Sequence, residues 1–246
     1  MRTANVIGTR VVAGGLDEVV DALETAIAQR RSGYVCFANA HLTSTARRDE
    51  RLAEALAGAA MVLADGAPVA WAADTQRIAG ADVFEELCRR SPARGYRHFF
   101  LGSTEETLGL LRDRVAWSYP GIEICGTHSP PFGRRLDELA AQLAEIVDRA
   151  NPDVVWVGLG APKQELFMQA LRPLVTAPLL LGIGAVFDFA SGTKRRAPAW
   201  MQRAGLEWLH RLRHEPRRLA RRYLVTNTAF VLALARERAE TRRLTR

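Results

Sequence analysis

Short apolar runs alternate along this chain with longer segments whose apolar residues recur at helical spacing. The runs predict buried strands, and the longer segments predict amphipathic helices. The predicted strands cover residues 34–38, 60–64, 98–101, 122–125, 154–157 and 179–183. The predicted helices cover 16–31, 40–57, 82–91, 104–118, 135–150 and 162–171. The alternation predicts a Rossmann-like α/β fold, a parallel sheet flanked by helices.

The pattern changes after Lys194, where Arg, Trp and Leu become frequent. Pro216 suits the first turn of a helix, so we expect one helix to end near His214 and a second to run from Glu215 to about Ala235. The sequence therefore predicts two units, a Rossmann-like α/β catalytic domain at 1–194 and a basic helical appendage at 195–246.

Charge is unevenly distributed between these units. The 246 residues carry a formal charge of +7, yet residues 194–246 hold 15 basic and 4 acidic residues, a net of +11 against −4 for the rest. Such a segment attracts nucleic acid, an anionic membrane or a diphosphate, and the charge alone does not choose among them.

The N-terminal sequence and the cysteine pattern indicate the expected cellular compartment. The N-terminus has no signal-peptide pattern, and no window approaches the 18 to 20 apolar residues of a spanning helix. We therefore expect any membrane contact to be peripheral. The three cysteines are widely spaced in apolar runs, which predicts neither a disulfide framework nor a metal cluster and fits a reducing cytosol.

Polar residues follow two of the predicted strands. Asp65 comes directly after the strand at 60–64, and Asn39 and His41 follow the strand at 34–38. Ligands of open α/β sheets bind at the carboxyl edge, where these residues are expected to meet. Asp65 is either a functional carboxylate there or the cap of a helix beginning near Pro68. A lone histidine is more often structural than catalytic.

Two glycine-containing turns follow other strands. Gly158-Leu-Gly160-Ala-Pro-Lys163-Gln164-Glu165 enters a helix, so its amides and the helix N-terminus favour an anion. It lacks the third glycine of a dinucleotide fingerprint and the Lys-Ser/Thr of a P-loop. Lys163 and Glu165 either contact ligand or pair with each other. Gly102-Ser103 either lines the same cleft or caps the next helix.

Several motifs together resemble the WecG/TagA/CpsF family of bacterial glycosyltransferases, over roughly residues 34 to 223. They are Gly160-Ala-Pro-Lys-Gln-Glu165, Gly182-Ile-Gly-Ala-Val-Phe-Asp-Phe189, Gly192-Thr-Lys-Arg-Arg-Ala-Pro198, Gly205-Leu-Glu-Trp-Leu-His-Arg-Leu212 and Glu215-Pro-Arg-Arg-Leu-Ala-Arg-Arg-Tyr223. Family members extend lipid-diphosphate-linked sugars at the inner face of the membrane.

The resemblance implies roles for individual residues. Asp65, in an Ala-Asp-Gly motif, is the expected general base, and Arg77, in Arg77-Ile-Ala-Gly-Ala-Asp82, is expected to meet acceptor or diphosphate charge. The expected donor-binding residues are Asn39, Gly102, Gly160, Lys163 and Gln164. Arg211, Arg218 and Arg221 correspond to positions proposed to grip the acceptor's lipid diphosphate.

The implied reaction moves a hexose, N-acetylmannosamine or a relative, from a UDP-sugar to a polyprenyl-diphosphate-linked sugar in cell-surface polysaccharide biosynthesis. Transfer is expected to invert the anomeric centre and to need neither metal nor cofactor, since the chain has no Asp-x-Asp pair to hold Mg²⁺ or Mn²⁺ on a sugar nucleotide. The expected location is the cytoplasmic membrane face, bound to anionic lipid and not to nucleic acid; a homo-oligomer is compatible with the sequence.

The chain differs from the family at two places. Phe37 stands where many members have a hydroxyl residue, and the stretch between Trp71 and Arg77 is short. The second difference bears on where Arg77 lies and so on acceptor choice.

Two other function classes remain open at this point. A Rossmann-type oxidoreductase is consistent with the alternation of strands and helices, but such an enzyme has a complete glycine fingerprint and this chain does not. A nucleic-acid-binding protein fits the basic tail and would bind with steep salt dependence. For a transferase, we expect the tail to complete the active site only at the membrane. Truncation after Thr193 is then expected to abolish sugar transfer while leaving the sheet folded.

Overall fold

The computed structural model describes residues 1–131, 135–214 and 216–244. Its sheet has the strands β1 (Arg2–Val6), β2 (Thr9–Ala13), β3 (Gly33–Ala38), β4 (Met61–Ala64), β5 (Arg97–Gly102), β6 (Glu123–His128), β7 (Val154–Gly158) and β8 (Leu179–Gly182). They lie in the order β1-β2-β4-β3-β8-β7-β5-β6, and every pairing except β1 with β2 is parallel. The predicted α/β fold is confirmed, and the six predicted strands are β3 to β8.

Helices connect the strands and cover both faces of the sheet. They are α1 (Leu16–Ala28), α2 (Ala40–Ala46), α3 (Glu50–Ala57), α4 (Ala67–Ala72), α5 (Gly80–Arg90), α6 (Glu105–Ser118), α7 (Leu136–Ala150), α8 (Lys163–Leu171), α9 (Val186–Ala190), α10 (Ala199–Arg203), α11 (Glu207–His214) and α12 (Pro216–Leu244). Short 3₁₀ turns follow α5 and α8.

Several predicted helix boundaries differ from the structure, and two of these differences follow from side-chain caps. The helix predicted at 40–57 is interrupted because Asp49 begins α3, its carboxylate accepting a hydrogen bond from the amide of Leu52 at 3.2 Å. The N-cap of α6 is Thr104 rather than Ser103, and its hydroxyl accepts from the amide of Thr107 at 3.2 Å. In both cases a side chain satisfies an amide that has no partner within its helix.

The hairpin of β1 and β2 was missed from the sequence. Its two turn residues, Ile7 and Gly8, have φ angles of 46° and 88°, as a tight hairpin turn requires. A β-branched residue rarely adopts positive φ, so Ile-Gly gives none of the usual hairpin signal. The amide of Ile7 donates to the Glu237 carboxylate of α12 at 3.0 Å, so the far end of the chain supports this turn.

The core consists of one apolar layer on each face of the sheet. Along β3, Tyr34, Cys36 and Ala38 point into one layer, and Val35 and Phe37 into the other. This alternation follows from the pleat of the strand. The first layer packs against α2, α3, α7, α8 and α12, and the second against α1, α5, α6 and α9.

The C-terminal helix α12 belongs partly to this core. It packs along α2, with Phe230 and Ala233 buried and the Ser44 hydroxyl donating to the carbonyl of Thr226 at 3.1 Å. Leu224 and Val231 are exposed on other faces of the helix. The helix was predicted to end at about residue 235 and continues to Leu244; the predicted start, Glu215, lies outside the described residues.

No helix in the described part of the chain combines enough length and enough apolar character to cross a membrane.

Replacing Phe230 with Ala is expected to lower the free energy of unfolding by about 3–5 kcal/mol, because a large buried side chain leaves a cavity between α12 and the body. Val231→Ala is the matched control: Val231 is 62% exposed on the same helix turn and should change stability by less than about 0.5 kcal/mol. Urea denaturation of both variants measures the difference. Equal effects would mean that α12 does not pack on the body in solution.

Candidate active site

Five adjacent strands end at one edge of the sheet, each followed by residues singled out from the sequence. Across the sheet these are Asp65 after β4, Asn39 after β3, Gly184 after β8, Gly160 after β7 and Ser103 after β5. The helices that follow β3 and β8, α2 and α9, pack on opposite faces of the sheet, the arrangement at which open α/β sheets bind ligands, and we call the space between these strand ends the crevice. The fold thus brings the predicted residues to one edge of the sheet.

Asp65 and Asn39 lie on backbone segments in direct contact. The amides of Asp65 and Gly66 both donate to the carbonyl of Ala38, at 2.9 and 3.1 Å. A Cβ on Gly66 would lie only 2.9 Å from the Cα and Cβ of Asn39, so a side chain here would force the segments apart. The N-cap residue of α4 is Gly66, so Asp65 stands one position before the cap rather than at it.

Asn39 has a defined position at the start of α2. It is the N-cap residue, and its side-chain oxygen accepts from the amide of Leu42 at 3.1 Å. His41 lies in the first turn of the same helix and is partly buried. The cap fixes the Asn39 side chain beside the Asp65 segment, where contact with a donor sugar remains a prediction.

Arg77 contacts the backbone of Asp65 directly. Its Nε donates to the carbonyl of Asp65 at 2.9 Å, its Nη1 to the carbonyl of Gln202 at 3.2 Å and its Nη2 to the Glu207 carboxylate at 2.7 Å. The short stretch after Trp71 still returns the chain to this edge. Contact between Arg77 and acceptor charge stays a prediction; the described bonds join the Asp65 segment to α10 and α11.

Gln164 joins two glycine turns of the crevice. Its side-chain oxygen accepts from the amide of Gly160 at 3.2 Å, and its Nε2 donates to the carbonyl of Gly182 at 2.7 Å and to the Glu165 carboxylate at 2.9 Å. Lys163 is exposed at the start of α8, whereas Glu165 is buried. The described partner of Glu165 is therefore Gln164 rather than Lys163, and Gln164 holds the turns that could receive a nucleotide.

Close backbone packing shapes the β5 and β7 side of the crevice. A Cβ on Gly102, whose φ is 119°, would lie 2.7 Å from the carbonyl of Gly158. Ser103 follows in the left-handed region at φ 62°, and its carbonyl accepts from the Ser129 hydroxyl at 2.7 Å. Only glycine fits between these strand ends, which explains Gly102 without assigning it a ligand.

Glu165, expected from the sequence to contact ligand or to pair with Lys163, accepts a hydrogen bond from Gln164 in the protein interior. The side chain is fully buried, burial raises its pKa to about 7, and the hydrogen bond from Gln164 offsets only part of that effect. Its Oε2 has no hydrogen-bond partner among the described residues. The sequence signal was faint, because an acidic residue in the first turn of a helix is usually solvated.

Three of the predicted site residues are arginines of the appendage. Arg211 lies in α11, and Arg218 and Arg221 lie in α12, but the placement of their side chains lies outside the described structure. Across the described ranges, no three His, Cys, Asp or Glu side chains converge as a metal-binding group.

The chain belongs to the glycosyl transferase WecG/TagA/CpsF family, whose sequence profile matches residues 4–244. It is similar to two proteins named N-acetylglucosaminyldiphosphoundecaprenol N-acetyl-beta-D-mannosaminyltransferase. The one from Bacillus spizizenii is 32% identical, with 97% of this chain and 93% of the relative covered. The one from Bacillus subtilis is 31% identical, with 94% and 91% covered. The chain is therefore a glycosyltransferase, and the oxidoreductase and nucleic-acid alternatives lose their basis.

The buried carboxyl of Glu165 predicts a pH-dependent stability. Its folded-state pKa, about 7, exceeds the ordinary value of 4.5, so the folded protein keeps a proton that the unfolded chain releases. The contribution to stability is present below pH 4.5 and is lost as the pH rises through 7. From pH 5 to pH 8, wild type is expected to lose about 2 kcal/mol more than Glu165→Gln.

Urea denaturation at several pH values measures this difference. His98, whose pKa burial lowers to about 4, contributes in the opposite direction, but equally in both proteins. Glu50→Gln, at an exposed glutamate, is the control and should follow wild type. Parallel pH curves for wild type and Glu165→Gln would contradict the prediction.

Proposed function

We propose that this chain transfers N-acetylmannosamine, or a related hexose, from a UDP-sugar to an N-acetylglucosamine carried on a polyprenyl diphosphate, in the synthesis of a cell-surface polysaccharide. The printed names of the two Bacillus relatives specify such an acceptor and such a transferred sugar. The observation that carries the proposal is the position of Asp65, fixed at the carboxyl edge of the sheet between Asn39 and Arg77.

Asp65 is the proposed general base. The acceptor hydroxyl oxygen attacks the anomeric carbon while the bond from that carbon to the UDP phosphate oxygen breaks, and the hydroxyl proton passes to the Asp65 carboxylate. The backbone of Asp65 is held on both sides, its amide by Ala38 and its carbonyl by Arg77. Such fixation favours a base that must meet one hydroxyl in one orientation.

A single displacement of this kind inverts the anomeric centre. The relatives are named for a beta-mannosaminyl product, which inversion yields from an α-linked nucleotide sugar. Base and leaving group then lie on opposite sides of the sugar, which matches an edge where Asp65 follows β4 and the glycine turns follow β7 and β8.

The donor diphosphate is proposed to meet backbone amides and Lys163 rather than a metal ion. Gly160 and Gly184 have φ angles of 78° and 55°, and their own amides donate to Gln164 and to the carbonyl of Val157, so the amides proposed for the diphosphate are those of the first turn of α8. The N-terminus of α8 adds its positive dipole end. Asn39 and Gln164 are the proposed contacts for sugar and nucleotide, with Gly102 lining the far side.

The appendage is proposed to serve the lipid side of the acceptor. Arg211, Arg218 and Arg221 are assigned to its diphosphate on the family resemblance. Exposed aromatic and apolar side chains accompany this basic segment, among them Trp200, Trp208 and Leu224. Such a mixture favours an anionic membrane interface, so we place the enzyme peripherally on the cytoplasmic face.

The decisive measurement is UDP release from a panel of UDP-sugars with a short-chain N-acetylglucosamine-diphosphate lipid. Asp65→Asn is expected to lower kcat roughly 10²- to 10⁴-fold, because the amide cannot accept the proton. Asp74→Asn is the matched control, since the Asp74 side chain is 97% exposed, and it should transfer normally.

Donor binding is measured on the same samples. Unchanged transfer by Asp65→Asn would refute its role as base. Tight UDP-sugar binding without release would reject the acceptor, and neither binding nor release would reject the proposed donor class.

Metal independence has its own test. Transfer by wild type should be unchanged in excess EDTA and should not rise on adding Mg²⁺ or Mn²⁺, because arginine, lysine and amide groups are proposed to neutralise the leaving diphosphate. A loss in EDTA that Mn²⁺ restores would overturn this part of the mechanism.

A further inference from the structure

One carboxylate of the appendage lies between two arginines at the crevice. Glu207, the first residue of α11, accepts a hydrogen bond from Arg77 Nη2 at 2.7 Å, and its other oxygen is 3.7 Å from Arg196 Nε. The side chains of Glu207, Arg77 and Arg196 are 19%, 18% and 14% exposed. Partial burial makes removal of one partner more costly than at a solvated surface pair.

Arg77 connects this carboxylate to the proposed base. The same guanidinium that binds Glu207 donates through Nε to the carbonyl of Asp65, and through Nη1 to the carbonyl of Gln202 in α10. A planar guanidinium holds its donors in a fixed fork, so a shift of one partner is transmitted to the others. The position of the Asp65 backbone is therefore coupled to the position of α10 and α11.

Arg196 connects the same carboxylate to α5. Its guanidinium bonds to Asp82 at 2.5 Å and to Glu85 at 3.2 Å, while Asp82 also accepts from the amide of Ala79 at 3.4 Å. Arg196 is the second residue of the appendage and lies before α10. The chain entering the appendage and the first turn of α11 are thereby tied to the body at one place.

The charge balance distinguishes a structural connection from an anion site. Among the described side chains of this cluster, three carboxylates, those of Asp82, Glu85 and Glu207, face two guanidiniums. Both guanidiniums therefore already face carboxylates of the protein, which is the pattern of a connection between chain segments.

We propose that Glu207 is a positioning residue that docks the appendage through Arg77 and Arg196 and thereby sets the placement of Asp65. The inference rests on the proposed role of Asp65 as base. Docking of the appendage and assembly of the catalytic edge are then one event, although Glu207 itself touches neither sugar.

Hydrogen exchange of the full chain tests the docking without any substrate. Glu207→Gln keeps the shape of the side chain and removes its charge; exchange is expected to rise in peptides covering 196–214 and also 61–79, and to stay unchanged in β7. The control is Glu240→Gln, at an exposed glutamate of α12, which should exchange like wild type. A rise confined to 196–214, or no rise, would overturn the coupling.

Transfer kinetics test the positioning role. Glu207→Gln is expected to lower kcat about tenfold while leaving the KM for UDP-sugar within about twofold, since the donor turns lie on β7 and β8. Glu207→Asp, which keeps the charge, should recover part of the loss. A wild-type kcat in Glu207→Gln would reject the role.

A double-mutant cycle with Arg77→Gln identifies the pathway. The double variant should be no slower than Arg77→Gln alone, because Glu207 acts through that guanidinium; additive losses would overturn this. If wild type transfers no sugar from any UDP donor, the proposed function fails, and the exchange experiment still decides whether Glu207 docks the appendage.

Discussion

The carbonyl of Ala38, which accepts hydrogen bonds from the amides of both Asp65 and Gly66, is the contact on which the proposed catalytic edge depends. It joins the ends of β3 and β4 beyond their ladder, and it is possible because Gly66 has no Cβ to meet Asn39. With these segments joined, the cap of α2 and the start of α4 are fixed relative to each other. Asp65 is thus positioned by backbone geometry before any side chain or substrate contributes.

Local sequence patterns predicted much of this edge, because a polar residue directly after a parallel strand lies at the carboxyl edge of the sheet. Asp65 and Asn39 were found this way. The β1–β2 hairpin was missed because its turn, Ile7-Gly8, is stabilised by Glu237, a contact between residues 230 positions apart. A local sequence pattern does not indicate such a contact, and the hydrogen bond between Arg77 and Glu207 was not predicted for the same reason.

Composition alone did not predict how the apolar residues of α12 divide between the core and the surface. The tail, which includes this helix, was expected to complete the site only at the membrane. Phe230 instead packs against the body with Ala233, while Leu224 and Val231 remain exposed. Part of the apolar surface thus completes the core, and only the rest is open to a membrane. Removing the whole appendage would uncover α2 as well as the crevice, so truncation is expected to reduce stability together with transfer.

A tail of net +11 is held on a body of net −4 partly by its few acidic residues, beside the basic Arg196, which binds Asp82 and Glu85. Of the four acidic residues in the tail, Glu207 binds Arg77 at the crevice and Glu237 binds the β1–β2 turn. Long-range attraction between opposite net charges brings the units together but sets no geometry, because it is non-directional and screened by salt. These two carboxylates, together with Arg196, are directed at specific partners and supply that geometry. Anionic lipid or diphosphate does not compete for the contacts that Glu207 and Glu237 make, because those contacts use carboxylates.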